Sequence, residues 1–309
     1  MKLQQLRYLC AVVQDGFSLS RAAITLGTSQ PAISKQLQVL ERELGVDLLI
    51  RRGNRILGLT APGEAIIESA RRTLREAENL QRITSEFTQE SGGRLVIATT
   101  HTYARYVLGP VIKAFIATHP QVQLVLRQGT PSMVAEWIAA GGADLGISGR
   151  PEEMHDSLIF LACKALQRSL FTPKAHPLLG EAKLSVKKIA QYPIITLDSS
   201  TEGGRAVMHA FDKAGCTPNI VLSAIDADVV KAYVAMGLGV AVLLSVSYQP
   251  DRDHDLGVMD AGRLFLPTIP HILLRDGQYL SRALYDFIRT LAPQWTRTAI
   301  EQEIRGARR

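Results

Sequence analysis

LRYLCAVVQDGFSLSRAAITLGTSQPAISKQLQVLERELGVDLLIRR, residues 6–52, is the stretch whose pattern decides the fold. Leu3, Leu6, Leu9, Cys10 and Val13 recur at helical spacing, and Asp15-Gly16 closes that first helix. Ser18 is placed to cap a second helix with Leu19, Ala22, Ala23 and Leu26 as its buried stripe, and Gly27 supplies a turn. Ser29 then caps a third helix, with Pro31 in its first turn and Ile33, Leu37, Leu40 and Leu44 facing inward. Two short helices joined so tightly predict a helix-turn-helix. Its outward face carries Gln30, Ser34, Lys35 and Gln38, polar groups suited to phosphates and base edges in a major groove. Any one of them would be at home on an ordinary solvated helix; as a set they sit where recognition requires.

Downstream, Leu48-Leu49-Ile50 runs into Arg51-Arg52-Gly53-Asn54-Arg55, and Ile56 to Leu59 returns, which reads as a hairpin with a basic tip. A winged arrangement follows. Across residues 1–60, Lys2, Arg7, Arg21, Lys35, Arg42, Arg51, Arg52 and Arg55 face only Asp15, Glu41, Glu43 and Asp47, so most of the chain's formal +6 lies in this segment. Charge placed this way fits a polyanion: phosphate contacts supply salt-dependent affinity, while Gln30 and Ser34 contribute sequence preference.

The remaining composition sets bounds. A 309-residue chain with 46% hydrophobic residues buries a sizeable core and divides into two or three folded units. No run approaches the roughly 20 apolar residues of a membrane span, and the most apolar stretch, Val240 to Val246, has the length of a buried strand. Gln4, Gln5 and Arg7 follow the first residues in place of an apolar signal segment, so a soluble, cytoplasmic protein without a membrane partner is expected. Cys10, Cys163 and Cys216 lack CxxC spacing and read as core thiols of a reducing compartment.

Residues 6–52 resemble the N-terminal domain of LysR-type transcriptional regulators nearly position by position. MKLQQLRY at 1–8, TSQPAISKQ at 28–36, ATTHTYARY at 98–106 and DADVVKAYVAMGLGV at 226–240 resemble the cysteine-regulon branch of that family. The resemblance spans nearly the whole chain. It implies an α/β protein with an N-terminal winged helix-turn-helix, a long linker helix, and a C-terminal two-lobed effector-binding domain resembling periplasmic binding proteins. The corresponding ranges are 1–60, 61–92 and 93–309, with the first lobe at about 93–163 and 269–292 and the second at about 164–268. It further implies Ser29, Gln30, Pro31, Ser34, Lys35, Gln38, Arg51, Arg52 and Arg55 as the DNA-binding set, double-stranded promoter DNA and RNA polymerase as partners, and a homotetramer built as a dimer of dimers.

Thr60-Ala61-Pro62-Gly63-Glu64 resembles the family's linker-helix start, with Thr60 as cap and Glu64 near the positive helix end. Ile66, Ile67, Ala70, Leu74, Ala77, Leu80, Ile83 and Phe87 then recur at roughly helical spacing until Ser91-Gly92-Gly93, as in a dimerisation helix that pairs with a partner helix, the alternative being packing on its own chain. From Arg94 strands and helices alternate: strands at 95–99, 122–126 and 144–148, with helices near 104–117 and 132–140, predict βαβ units and a parallel sheet. Further strands are expected at 158–163, 169–172, 194–197, 220–224, 240–244 and 271–274. The chain should cross twice between lobes, leaving a cleft at strand ends.

Hydroxyls and backbone N–H groups at Thr99-Thr100-His101-Thr102 form a ready anion site, and Thr100 and Thr102 match the family's effector-binding threonines. Capping the next helix is the commoner use of such threonines, and both roles can coexist. Thr130 and Ser132 offer a similar pair at the next turn, with capping by Thr130 the safer reading. Against the branch, Tyr103 stands for Gln, Gly149 for Thr, Leu166 for Trp and Glu202 for Thr. Gly149 and Leu166 should enlarge the cavity. A Glu202 carboxylate opposes bare sulfate unless it turns away or meets a cation such as Arg205, and Thr201 is placed to supply the missing hydroxyl. The expected effector is a sulfur-assimilation metabolite such as acetylserine, adenylylsulfate, sulfate or thiosulfate, with preference for one larger than sulfate; no cofactor or metal is expected.

Two rivals are weaker. A solute-binding protein shares the two-lobed plan but needs a secretion signal and no winged helix. An enzyme would rest on His101 and Glu202 alone: the chain has no nucleophile elbow or P-loop, and Gly237-Leu238-Gly239 precedes a strand instead of following one. His119, His155, His176, His209, His254 and His271 are scattered, so none is assigned to a metal.

Overall fold

The computed structural model describes residues 1–53, 55–87, 93–151 and 155–307. They divide into two compact units, 1–88 with 277–279, and 89–276 with 280–309. The expected helix end at Ser91-Gly92, the Phe87 side chain and the final two arginines lie outside the described residues.

In the first unit, α1 (Leu3–Gln14), α2 (Leu19–Thr25) and α3 (Gln30–Leu44) are followed by the strands β1 (Leu49–Arg52) and β2 (Arg55–Leu59) and by α4 (Ala61–Phe87). Leu6, Leu9, Val12, Ala22, Ile33, Leu37, Leu40, Leu48 and Ile56 make one core, so each helix buries the middle of the stripe its spacing encodes, while Leu3, Leu26 and Leu44 at the helix ends are exposed, contrary to expectation. Gly27 and Gly45 terminate α2 and α3 with positive φ, a conformation that only glycine adopts without strain. The two strands pair antiparallel as the wing. Ile67 and Ala70 join the same core, so the N-terminal turns of α4 pack against their own chain, while Leu80 further along is 65% exposed.

The second unit holds two lobes. The first is built on a five-stranded sheet in the order β4-β3-β5-β12-β6, from β3 (Arg94–Thr99), β4 (Gln123–Gln128), β5 (Leu145–Ser148), β6 (Leu158–Ala162) and β12 (His271–Arg275). Side chains alternate between its faces: Leu95, Ile97, Leu145, Ile147 and Ile272 enter one core and Val96, Ala98 and Leu273 another. Both faces are covered, which explains why these strands read as continuous apolar runs. Two expectations are corrected here. The sheet is mixed, because β12 enters from the other lobe and runs antiparallel to β5 and β6. The single helix expected over 104–117 is two, α5 (His101–Tyr106) and α6 (Leu108–Thr118), broken at Val107. Beyond them, α7 (Pro131–Ala139) covers the second face.

The second lobe centres on β7 (Arg168–Pro173), flanked antiparallel by β10 (Ala241–Leu244) and β11 (Leu256–Asp260). After the one-turn helix α8 (Val186–Ile189), the strands β8 (Ile194–Leu197) and β9 (Ile220–Ala224) pair in parallel around α9 (Glu202–Lys213), and a bridge from Ile194 to Val240 joins them to β10. Alternation again assigns the faces, with Leu170, Ile194 and Val242 on one core and Phe171, Ile195 and Leu243 on the other together with α10 (Ala227–Ala235). The chain passes between lobes twice, and the two passages are hydrogen-bonded side by side. Leu166 N–H donates to Thr268 O at 2.8 Å, Thr268 N–H returns to Leu166 O at 3.0 Å, and Cys163 N–H donates to Pro270 O at 2.8 Å. In the C-terminal part, α11 (Arg282–Leu291) packs on α6 and α12 (Arg297–Ala307) on β6.

Candidate functional site

On the first unit, the exposed face of α3 presents Gln30, Pro31, Lys35 and Gln38, with Ser34 half-buried beside them, and Arg52 and Arg55 stand exposed on the wing. Ser29 occupies the N-cap position, but its hydroxyl makes no cap hydrogen bond, contrary to the capping role expected of it. Arg51 departs from the rest of the set. Its Nη2 donates to Glu41 Oε2 at 2.8 Å, so this guanidinium is engaged within the unit. The same buried carboxylate accepts the N–H groups of Leu48 and Leu49 at 3.0 and 3.1 Å through Oε1. Glu41 thus ties the recognition helix to the first strand of the wing, a role its sequence position on a charged helix did not reveal.

In the second unit, the C-terminal ends of β3, β4, β5 and β8 converge on a cavity of about 280 Å³. That lies at the small end of the roughly 300–1,000 Å³ typical of small-molecule sites. Thr100, His101, Thr102 and Tyr103 reach it from the turn after β3, Thr130 from the turn after β4, Gly149 from the end of β5, and Thr201 and Glu202 from the start of α9. The structure therefore brings together eight of the ten expected pocket residues.

Leu166 and Ser132 fall elsewhere. Leu166 is one rung of the ladder between the two lobe passages, and its side chain packs against the first lobe's core, so it cannot widen the cavity. Ser132 is exposed on α7, because the helical turn that directs Pro131 inward carries the next residue outward. The enlargement expected at Gly149 is also corrected: a Cβ there would lie 1.8 Å from Glu202 Oε2, so the Glu202 carboxylate fills the space that a side chain at 149 would need.

The threonines divide by use. Thr130 Oγ1 accepts the Met133 N–H at 3.3 Å, and Thr201 Oγ1 accepts the Gly204 N–H at 3.0 Å while donating to Asp198 O at 2.7 Å. Thr100 stands at the start of α5 without a side-chain cap bond, leaving its hydroxyl for whatever enters the cavity.

The wall also holds Arg168, which is fully buried. Its Nε donates to Leu266 O at 3.0 Å and its Nη2 to Thr268 Oγ1 at 2.6 Å. Burial lowers its pKa, and the nearby Glu202 charge opposes that. Glu202 is the reciprocal case: burial raises its pKa, while Arg168, then Arg205 and the Arg150 backbone, favour the ionised form. The cation that meets Glu202 is foremost Arg168, ahead of the expected Arg205. Burial, then the Glu202 charge, pushes the Tyr103 phenol well above its ordinary value, so it stays a protonated donor.

Comparison with known proteins bears on both units. The family profile "Bacterial regulatory helix-turn-helix protein, lysR family" matches residues 3–64, and "LysR substrate binding domain" matches residues 88–296. The chain belongs to the LysR family. It is a DNA-binding transcriptional regulator of that family. Among full-length relatives, it is 42% identical over 307 residues to "HTH-type transcriptional regulator SsuR" of Burkholderia cenocepacia, covering 99% of this chain and 100% of the relative. It is 39% identical over 306 residues to "HTH-type transcriptional regulator CysB" of the same organism, covering 99% and 98%. The crystal structure of the cofactor-binding domain of the Cbl transcriptional regulator superposes with a TM-score of 0.66 at 34% identity, over 70% of this chain and 94% of that one. Among the described residues of this LysR-family regulator, no helix is long and apolar enough to cross a membrane.

Proposed function

We propose that this regulator acts in the cytoplasm on promoters of sulfur-assimilation and cysteine-biosynthesis genes, and that a small metabolite in the second unit's cavity controls it. Full-length likeness to regulators named SsuR and CysB supports the choice of genes. The observation that carries metabolite control is the cavity itself, which joins an unspent Thr100 hydroxyl to a buried guanidinium at the ends of four strands. A bare sulfate would leave most of its 280 Å³ empty, so the effector is a larger sulfur-assimilation metabolite. An acetylated serine fits that scale better than adenylylsulfate does. The protein carries out no chemistry on its ligand.

On the DNA side, Ser29, Gln30, Pro31, Ser34, Lys35 and Gln38 read the operator, and Arg52 and Arg55 meet phosphates. The exposed Leu80 on α4 supports pairing of linker helices between copies, within a dimer of dimers that contacts RNA polymerase. Ligand closing on the two lobes shifts a population between arrangements, and it moves that equilibrium only by its differential affinity for them.

A salt-titrated binding assay with a sulfur-assimilation promoter fragment tests this reading, run with and without sulfate, thiosulfate, both acetylserines and adenylylsulfate. Specific binding whose affinity or footprint changes with one of these is the expected result. Specific binding indifferent to all of them removes the sulfur effector and leaves the regulator.

A further inference from the structure

Two charged groups in the cavity wall each hold one atom without a hydrogen-bond partner among the described residues. Arg168 spends Nε and Nη2 inside the protein, but its buried Nη1 has no hydrogen-bond partner. The buried Glu202 Oε2 likewise has none. The two groups are close enough to influence each other's ionisation, yet these two atoms do not bond to one another or to any other described group. Buried polar atoms are nearly always satisfied, and leaving a charged one unmade is expensive. Both residues line the same cavity. Neither atom has open surface of its own, so a ligand seated against this wall gains the stabilisation they lack when either side chain turns toward it.

The two needs are opposite. Arg168 Nη1 is a cationic donor and calls for an anionic oxygen. Glu202 Oε2 is an acceptor and calls for a donor, best a cationic one. A bare oxyanion would answer the first and be repelled at the second. The Thr100 hydroxyl adds a neutral contact for either end. Resting on the reading of this cavity as the effector site, we infer that it selects a small zwitterion, in which a primary ammonium meets Glu202 and a carboxylate or sulfonate meets Arg168.

Isothermal titration of the full-length protein with paired probes tests this. O-acetyl-L-serine and N-acetyl-L-serine are isomers that differ in whether the nitrogen is a cation, and 2-aminoethanesulfonate pairs with its N-acetyl derivative in the same way; inorganic sulfate serves as the bare anion. The expected result is that at least one free amine binds about tenfold or more tightly than its acetylated counterpart, the size of a lost buried charged hydrogen bond. Glu202→Gln, which keeps the shape and removes the charge, should bring that ratio near unity. Thermal unfolding of the variant checks that it folds; if it does not, the wild-type ratio alone decides. Acetylated forms or sulfate binding as tightly as the amines, or a preference untouched in a folded Glu202→Gln, would overturn the zwitterion and leave the effector cavity standing. Failure of every probe to bind would overturn both.

Discussion

Among the described residues, helices headed by a serine or threonine start in two ways. At Ser18, Thr60, Thr130, Ser185, Thr201, Ser281 and Thr296 the hydroxyl accepts a backbone N–H from the first turn. At Ser29 and Thr100 it does not. Those two open starts are the ones the sequence places against DNA and against the metabolite. The same division runs through the charges. Glu41 is closed on three donors within the first unit, whereas Arg168 Nη1 and Glu202 Oε2 in the second are left without one. Groups that close their hydrogen bonds internally hold the fold, and groups that leave them open await a partner.

The largest effect expected from this division is at Glu41. Replacing it with alanine orphans two backbone N–H groups and a guanidinium, and should lower unfolding free energy by about 3 kcal/mol in urea titrations. Thr201→Ala should cost about 1–2 kcal/mol and Thr130→Ala about 1, the ordinary worth of a cap. Thr100→Ala and Ser29→Ala should change stability by less than about 0.5 kcal/mol. Instead they should weaken, respectively, effector response in calorimetry and operator affinity in gel-shift assays. If either open residue costs as much stability as Thr130, the division fails.

A smaller test uses pH. Desolvation holds His176 and His271 below the ordinary value of 6.5, with the Arg150 charge adding to the effect at His271. The unfolded chain therefore takes up protons first, and their contribution to stability is lost as pH falls below about 6.5. Glu202 has the opposite sign: its raised value favours the folded state in acid, and that contribution is lost as pH rises above its unfolded value near 4.5. Melting temperature should accordingly drop between pH 7 and 5.5. Glu202→Gln should leave that drop intact or deepen it, because it removes the opposing contribution. Cys163 offers one more check: burial pushes its thiol up to about 11, so alkylation at pH 8 should be slow in the folded protein and fast in urea.

The winged helix could be read from the chain because its determinants are local: the periodic stripe of Ile33, Leu37 and Leu40, the glycine turns and the basic hairpin lie within about sixty residues. The turn after β3 was legible for the same reason. Arg168 was not. Its partners Leu266 and Thr268 lie 98 and 100 residues along the chain, and an arginine at the start of a strand looks like any surface charge. The fit of Glu202 over Gly149 is also a pairing of distant segments: Gly149 alone suggested a wider cavity, and Glu202 alone suggested Arg205, which acts on it only after Arg168. Leu166 misled because its place is fixed by backbone pairing with Thr268, on which side-chain character is silent.

The anchoring of Arg168 has a mechanical side. Two of its nitrogens grip Leu266 and Thr268, and Thr268 is a rung of the ladder on which the chain passes between lobes. The third nitrogen, Nη1, is buried without a partner among the described residues, in a side chain that lines the cavity. One rigid planar group therefore reaches from the cavity wall to the crossing strands. A ligand that displaces Nη1 would pull on the crossing backbone directly, without passing through the packed cores on either side.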